Sequence, residues 1–117
     1  MKPLIRLRAT FGEEGAGQVR LRCALDTGLV CAVLPERAWS RLALVPSGMR
    51  IVRLGDGSAV TRPISECAVS TQFGERRIAV MLGGRDDVAV LPAALLQEFG
   101  LMLHPFSRAV MPMAKVA

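Results

Sequence analysis

Asp26, Thr27 and Gly28 stand between two apolar segments, residues 19–25 and 30–34. A carboxylate in such a place is costly. Buried and unpaired, it loses several kcal/mol of solvation or keeps its proton. Thr27 brings a hydroxyl, and Gly28 lets the backbone turn tightly and aim N–H groups at the carboxylate. Together the three residues can present an acid at a protected loop. An ordinary Asp-Thr-Gly turn accounts for the same residues with no chemistry. The other reactive side chains are Cys23, Cys31, Cys67 and a single histidine, His104. Without a C-x-x-C pair they make no zinc-ligand pattern, so neither a metal nor a cofactor is expected. The cysteines read as buried, reduced thiols. A Cys–His catalytic pair would have to use His104, and no spacing supports one.

Strands must position Asp26. Residues 4–8 begin with an apolar pair and then alternate. Residues 19–25 alternate over seven positions, with Arg20 and Arg22 on the wet face. Gly15 and Gly17 turn the chain between these segments. Residues 30–34 form a short apolar run, as in a strand covered on both faces. Pro35 suits the first position of a helix and Glu36 its N-terminal charge, and Ala38, Trp39, Leu42 and Ala43 share one face. Residues 49–54 and 59–70 are strands around Gly55, Asp56, Gly57 and Ser58. Asp-Gly there predicts a tight two-residue hairpin with a positive φ. Pro63 marks an edge or a bulge. Further strands are predicted at residues 77–82 and 88–91, a helix at 92–99 with Gly100 at its C-terminal cap, and terminal strands at 101–104 and 108–111. The stretch Ala32-Val33-Leu34-Pro35 recurs as Ala89-Val90-Leu91-Pro92, and a leucine follows ten residues later in each copy. This echo points to two related halves, each a strand leading into a short helix.

The chain has 117 residues, 51% hydrophobic and 21% charged, which excludes a disordered chain and fits one domain over residues 1–117. Its longest apolar run, residues 88–96, is too short for a membrane span and contains Pro92. No apolar signal segment is seen near Met1, so a cytoplasmic location and no membrane partner are expected. A mean hydropathy of +0.37 in so small a domain suggests apolar surface covered by a partner chain. The net charge of +5 permits nucleic-acid binding. The arginines are scattered, though, and no aromatic interleaves with them, so a basic solvated surface is the simpler reading and nucleic acid is not the expected partner. A basic nucleic-acid-binding β domain would need the arginines gathered on one face.

Residues 23–44, CALDTGLVCAVLPERAWSRLAL, resemble the active-site segment of retropepsin-like aspartic proteases. Residues 54–58 look like the flap hairpin of that family. Residues 88–105 look like its second apolar strand, helix and following strand. The resemblance spans roughly residues 4–113. It implies an all-β fold, mainly β with one or two short helices, closed into an acid-protease-type barrel with one lobe per chain. It implies a homodimeric aspartic endopeptidase acting on a peptide or protein substrate. Asp26 and Asp26 of the partner subunit would share one proton and activate a water. Thr27 and Gly28 would support the active-site loop. Gly55, Asp56, Gly57 and Ser58 would form the flap, and Val90, Leu91 and Pro92 the second apolar strand near the active site. The chain ends, residues 3–7 and 109–113, would pair with the partner chain. Leu29 and Val30 depart from the family, which usually has a small residue and then a polar one there. Pro92 stands where a glycine is usual. The alternative function is a catalytically weak or inactive dimer of the same fold, serving as a peptide-binding or scaffold module.

Overall fold

The computed structural model describes residues 6–28, 31–53, 55–104, 106–107 and 109–112. Among the described residues, nine strands and two short helices follow in the order β1 (Arg6–Phe11), β2 (Val19–Asp26), β3 (Ala32–Leu34), α1 (Glu36–Arg41), β4 (Gly48–Arg53), β5 (Ala59–Thr71), β6 (Gly74–Leu82), β7 (Val90–Pro92), α2 (Leu95–Glu98), β8 (Leu101–Leu103) and β9 (Val110–Pro112). The main sheet runs β1-β2-β7-β3-β6-β5, with β4 outside β5. It closes on itself where Thr10 and Phe11 of β1 pair with Ser70 and Val69 of β5. The result is the expected mainly β fold, a closed six-stranded barrel.

Alternation in the sequence becomes an inside and an outside. Leu7, Ala9 and Phe11 of β1 and Val19, Cys23 and Leu25 of β2 face the core, while Arg6, Arg8, Arg20 and Arg22 face out. Phe11, Val69, Val80, Leu34, Leu91 and Leu96 are the large side chains at its centre. The sequence echo is structural. Its two copies are β3 and β7, which meet at Val33↔Val90, and Leu34 and Leu91 are both fully buried. Each copy also pairs in parallel with another strand: β7 with β2, and β3 with β6.

Several element boundaries differ from expectation. The helix after Pro35 ends at Arg41, and Ala43 is exposed with a φ of 54°, so Ala43 does not share the buried face of Ala38. Pro35 caps that helix from an extended conformation instead of opening it. The predicted helix over residues 92–99 is only the single turn Leu95–Glu98. Pro63 lies within β5, opposite Met49 of β4, and β6 covers β5 only from Ile64 onward. The missing proline N–H therefore falls where no strand needs it. At the chain ends Leu7 pairs with Cys23, and β9 pairs with β8, each along one edge and within this chain. Residues 3–5 and 113 lie outside the described residues.

Because Leu34 and Leu91 fill equivalent sites, Leu34→Ala and Leu91→Ala should destabilise the chain to similar degrees, by about 2–5 kcal/mol each. Urea unfolding checks this as a lower midpoint with an unchanged slope.

Candidate active site

Asp26 is the last residue of β2 and sits beside Pro92, its register partner in β7. Two backbone bonds fix this junction: Ala24 N–H donates to the Ala89 carbonyl at 3.0 Å, and Ala93 N–H donates to the Asp26 carbonyl at 2.8 Å. In a parallel ladder the required N–H comes from the residue after the proline, so Pro92 is accommodated without a lost bond. Pro92 is thus the buried end of a strand, with Val90 and Leu91 before it, and not the first residue of a helix. The Gly28 N–H donates to Asp26 Oδ1 at 2.6 Å. This short, charge-assisted bond orients the carboxylate from within its own loop.

Asp26, Thr27 and Gly28 are all exposed on the single chain, between the buried Leu25 and the buried Cys31. The strand alternates, so the residue after inward-facing Leu25 must face out. Leu29 and Val30, the departures in the sequence after Gly28, lie outside the described residues.

The second half of the barrel shows what stands in the matching place. Leu25 pairs with Leu91, and Leu82 pairs with Leu34. One residue further along β2 is Asp26. One residue further along β6 is Gly83. A side chain at Gly83 would collide with Asp87 Oδ2 at 2.6 Å and with the Leu34 carbonyl at 2.9 Å. Gly83 N–H donates to that carbonyl at 2.8 Å, and its own carbonyl accepts from Trp39 Nε1 at 2.8 Å. The sequence reading missed Trp39 and Gly83 as supports of this junction. The Gly83-Gly84 pair was the available signal, since paired glycines mark close backbone approach. Each chain therefore supplies one aspartate at these two matched positions.

Gly55, Asp56, Gly57 and Ser58 lie at the tip of the β4–β5 ribbon. The last registered pair is Arg53↔Ala59, so the connection has five residues and is not a two-residue hairpin. The physical reason is a turn inside the loop. Asp56 Oδ1 accepts from both the N–H and the hydroxyl of Ser58, and Gly57 takes the positive φ, 89°. The Ser58 hydroxyl, and then its N–H, hold the Asp56 carboxyl below its usual range. Leu54 lies outside the described residues.

The thiols are unsuited to nucleophilic work. Cys23, Cys31 and Cys67 are buried and unbridged. Burial pushes the Cys23 thiol up to about 12 and raises that of Cys67. His104 Nδ1 accepts the N–H groups of Phe106 and Ser107, both at 3.2 Å, and so caps a turn.

No family model matches the sequence, and no curated protein matches it. Solved structures do match the fold. The solution structure of simian foamy virus (mac) protease superposes with a TM-score of 0.56 at 16% identity, covering 77% of this chain and 89% of that one. The EIAV protease complexed with the inhibitor HBY-793 gives 0.58 at 17% identity, covering 86% and 91%. The fold is retropepsin-like. A foamy viral protease–reverse transcriptase in complex with an RNA/DNA hybrid gives 0.61 at 13% identity, covering 99% of this chain and 13% of that one. The retropepsin-like barrel agrees with the resemblance of residues 23–44 and 88–105, and its single lobe matches the one Asp-Thr-Gly in the sequence.

The turn at Asp56 gives a measurable pH dependence. Its depressed carboxyl favours the turn above the ordinary carboxylate value near 3.8, and that preference is lost as pH falls through the lower folded value. Ser58→Ala should move the Asp56 titration upward toward the ordinary value. NMR titration of the side-chain carboxyl checks this.

Proposed function

We propose that the protein is a homodimeric aspartic endopeptidase. The observation that carries this reading is the retropepsin-like barrel in which β2 ends on Asp26 and Thr27 and Gly28 follow, with the carboxylate oriented by the Gly28 N–H. The chemistry needs two carboxyls close together, which share one proton because both cannot ionise side by side. With Gly83 in the matching place of the second half, the second carboxyl comes from Asp26 of the partner subunit. The ionised member takes a proton from a water, which attacks the peptide carbonyl carbon. The protonated member donates to the carbonyl oxygen, and the tetrahedral intermediate collapses as the proton taken from water passes to the leaving amine nitrogen and the hydroxyl proton returns to the pair. Thr27 braces the paired loops.

Exposed apolar surface supports a partner chain. Met102 and Met111 are cross-strand neighbours on β8 and β9, and both are exposed. The arm formed by β4 and the first residues of β5 extends past the barrel and carries exposed Met49 and Ile51. We assign its tip, Gly55 to Ser58, as the flap that closes over a bound peptide.

Asp26→Asn should lower cleavage of a peptide library by about 10²–10⁴-fold, with wild-type activity highest on the acid side because the pair must hold one proton. Equal cleavage by both proteins would end the reading. Sedimentation should show a dimer for wild type and variant alike. Gly57→Val, which forces a β-branched residue into a positive φ, should slow turnover while leaving that dimer intact.

A further inference from the structure

Four arginines converge on one outer face of the barrel. β2 alternates so that Arg20, Arg22, Ala24 and Asp26 share a face, and β1 puts Arg6 and Arg8 beside them. Arg8 is the direct cross-strand partner of Arg22, Arg20 is opposite Thr10, and Arg6 is opposite Ala24. Like charges directly opposite on a sheet are unfavourable. Among the described residues both salt bridges belong to Arg77, so these four arginines have no carboxylate partner. With Ser70 and Gln72 they line a surface groove of about 530 Å³, and among the described residues no acidic or aromatic one is in its wall. β1 pairs with β5 only at Thr10 and Phe11, so the edge of β1 before Thr10 takes no strand from β5 among the described residues. An open strand edge can accept an extended chain by main-chain hydrogen bonding.

We propose that this groove is an exosite for an acidic, extended stretch of the polypeptide substrate. The inference rests on the proposed protease function for the word substrate, and on the groove alone for the acidic ligand. At about 3.3 Å per residue, Arg22 lies about 13 Å and Arg20 about 20 Å along β2 from Asp26. Glutamates or aspartates at alternate positions, starting about four residues from the scissile bond, match that spacing. A single-stranded nucleic acid would also be anionic, but a groove without an aromatic side chain offers its bases nothing to stack on.

The test uses the full chain and a fluorescein-labelled peptide of alternating Glu and Ser, followed by anisotropy. Wild type should bind it, with affinity falling as salt rises, and should ignore the Lys-Ser analogue. Arg8→Gln with Arg22→Gln should weaken binding about tenfold, whereas the Arg8→Lys, Arg22→Lys pair should retain most of it and so guard against a folding artefact. Failure of wild type to bind the acidic peptide overturns the exosite. So does an oligo-dT strand that binds more tightly than the peptide and loses affinity in the same double variant. The two readings separate cleanly. An Asp26→Asn chain should still bind the acidic peptide. A wild-type chain that binds it yet cleaves nothing defeats the protease reading and leaves the anionic site standing. Where cleavage is seen, a Glu-Ser extension should lower KM relative to a Gln-Ser extension at unchanged kcat, and the double variant should erase that difference.

Discussion

The meeting of β3 and β7 at Val33↔Val90 is the contact on which the rest of the architecture depends. It joins the two echoed strands near the middle of the barrel. From there β7 reaches β2 and places Asp26, and β3 reaches β6 and places Gly83. Leu34 and Leu91 anchor the two sides of that meeting in the same core. Neither short strand could be stable alone, since three residues bury too little. Both hold because each pairs with the other on one edge and with a longer strand on the other, β6 beside β3 and β2 beside β7.

That near-symmetry sets an aspartate in one half against a glycine in the other. In one half the strand ends on an acid held by its own loop. In the other the strand is followed by Gly83, which must stay small because Asp87 and the Leu34 carbonyl crowd it. The free space at Asp26 and the lack of it at Gly83 differ for a packing reason. In the proposed dimer the partner's Asp26 supplies the second carboxyl, and the exposed methionines of β8 and β9 offer apolar area for such a contact. The same outer face that carries Asp26 also carries the unpaired arginines. Period-two alternation along β2 therefore ties the proposed chemistry to the proposed recognition.

Much of the fold was legible because alternation is a local property. Residues 19–25 read as a strand with arginines outside, and the structure agrees almost residue for residue. The AVLP echo announced two halves before any pairing was known. The places where the reading slipped are places where a local rule met a tertiary one. Pro92 favours a helix start in isolation, but β2 recruits it into a parallel ladder that needs no N–H from it. Asp56-Gly57 signals a two-residue turn, but the Asp56 carboxyl captures Ser58 and opens the loop to five residues.

The sequence by itself determined the succession of strands, the Asp-Thr-Gly turn and the buried cysteines. Each follows from residue type and short-range spacing, whereas the closed barrel was implied only by the family resemblance. Only the tertiary structure decided three things: that Asp26 is exposed, that Gly83 occupies the matching site, and that Arg6, Arg8, Arg20 and Arg22 lie together. Those depend on strand register and barrel closure, which bring residues distant in sequence onto one face. No local pattern encodes a partner's register, so scattered arginines in the chain become one groove only when β1 pairs with β2.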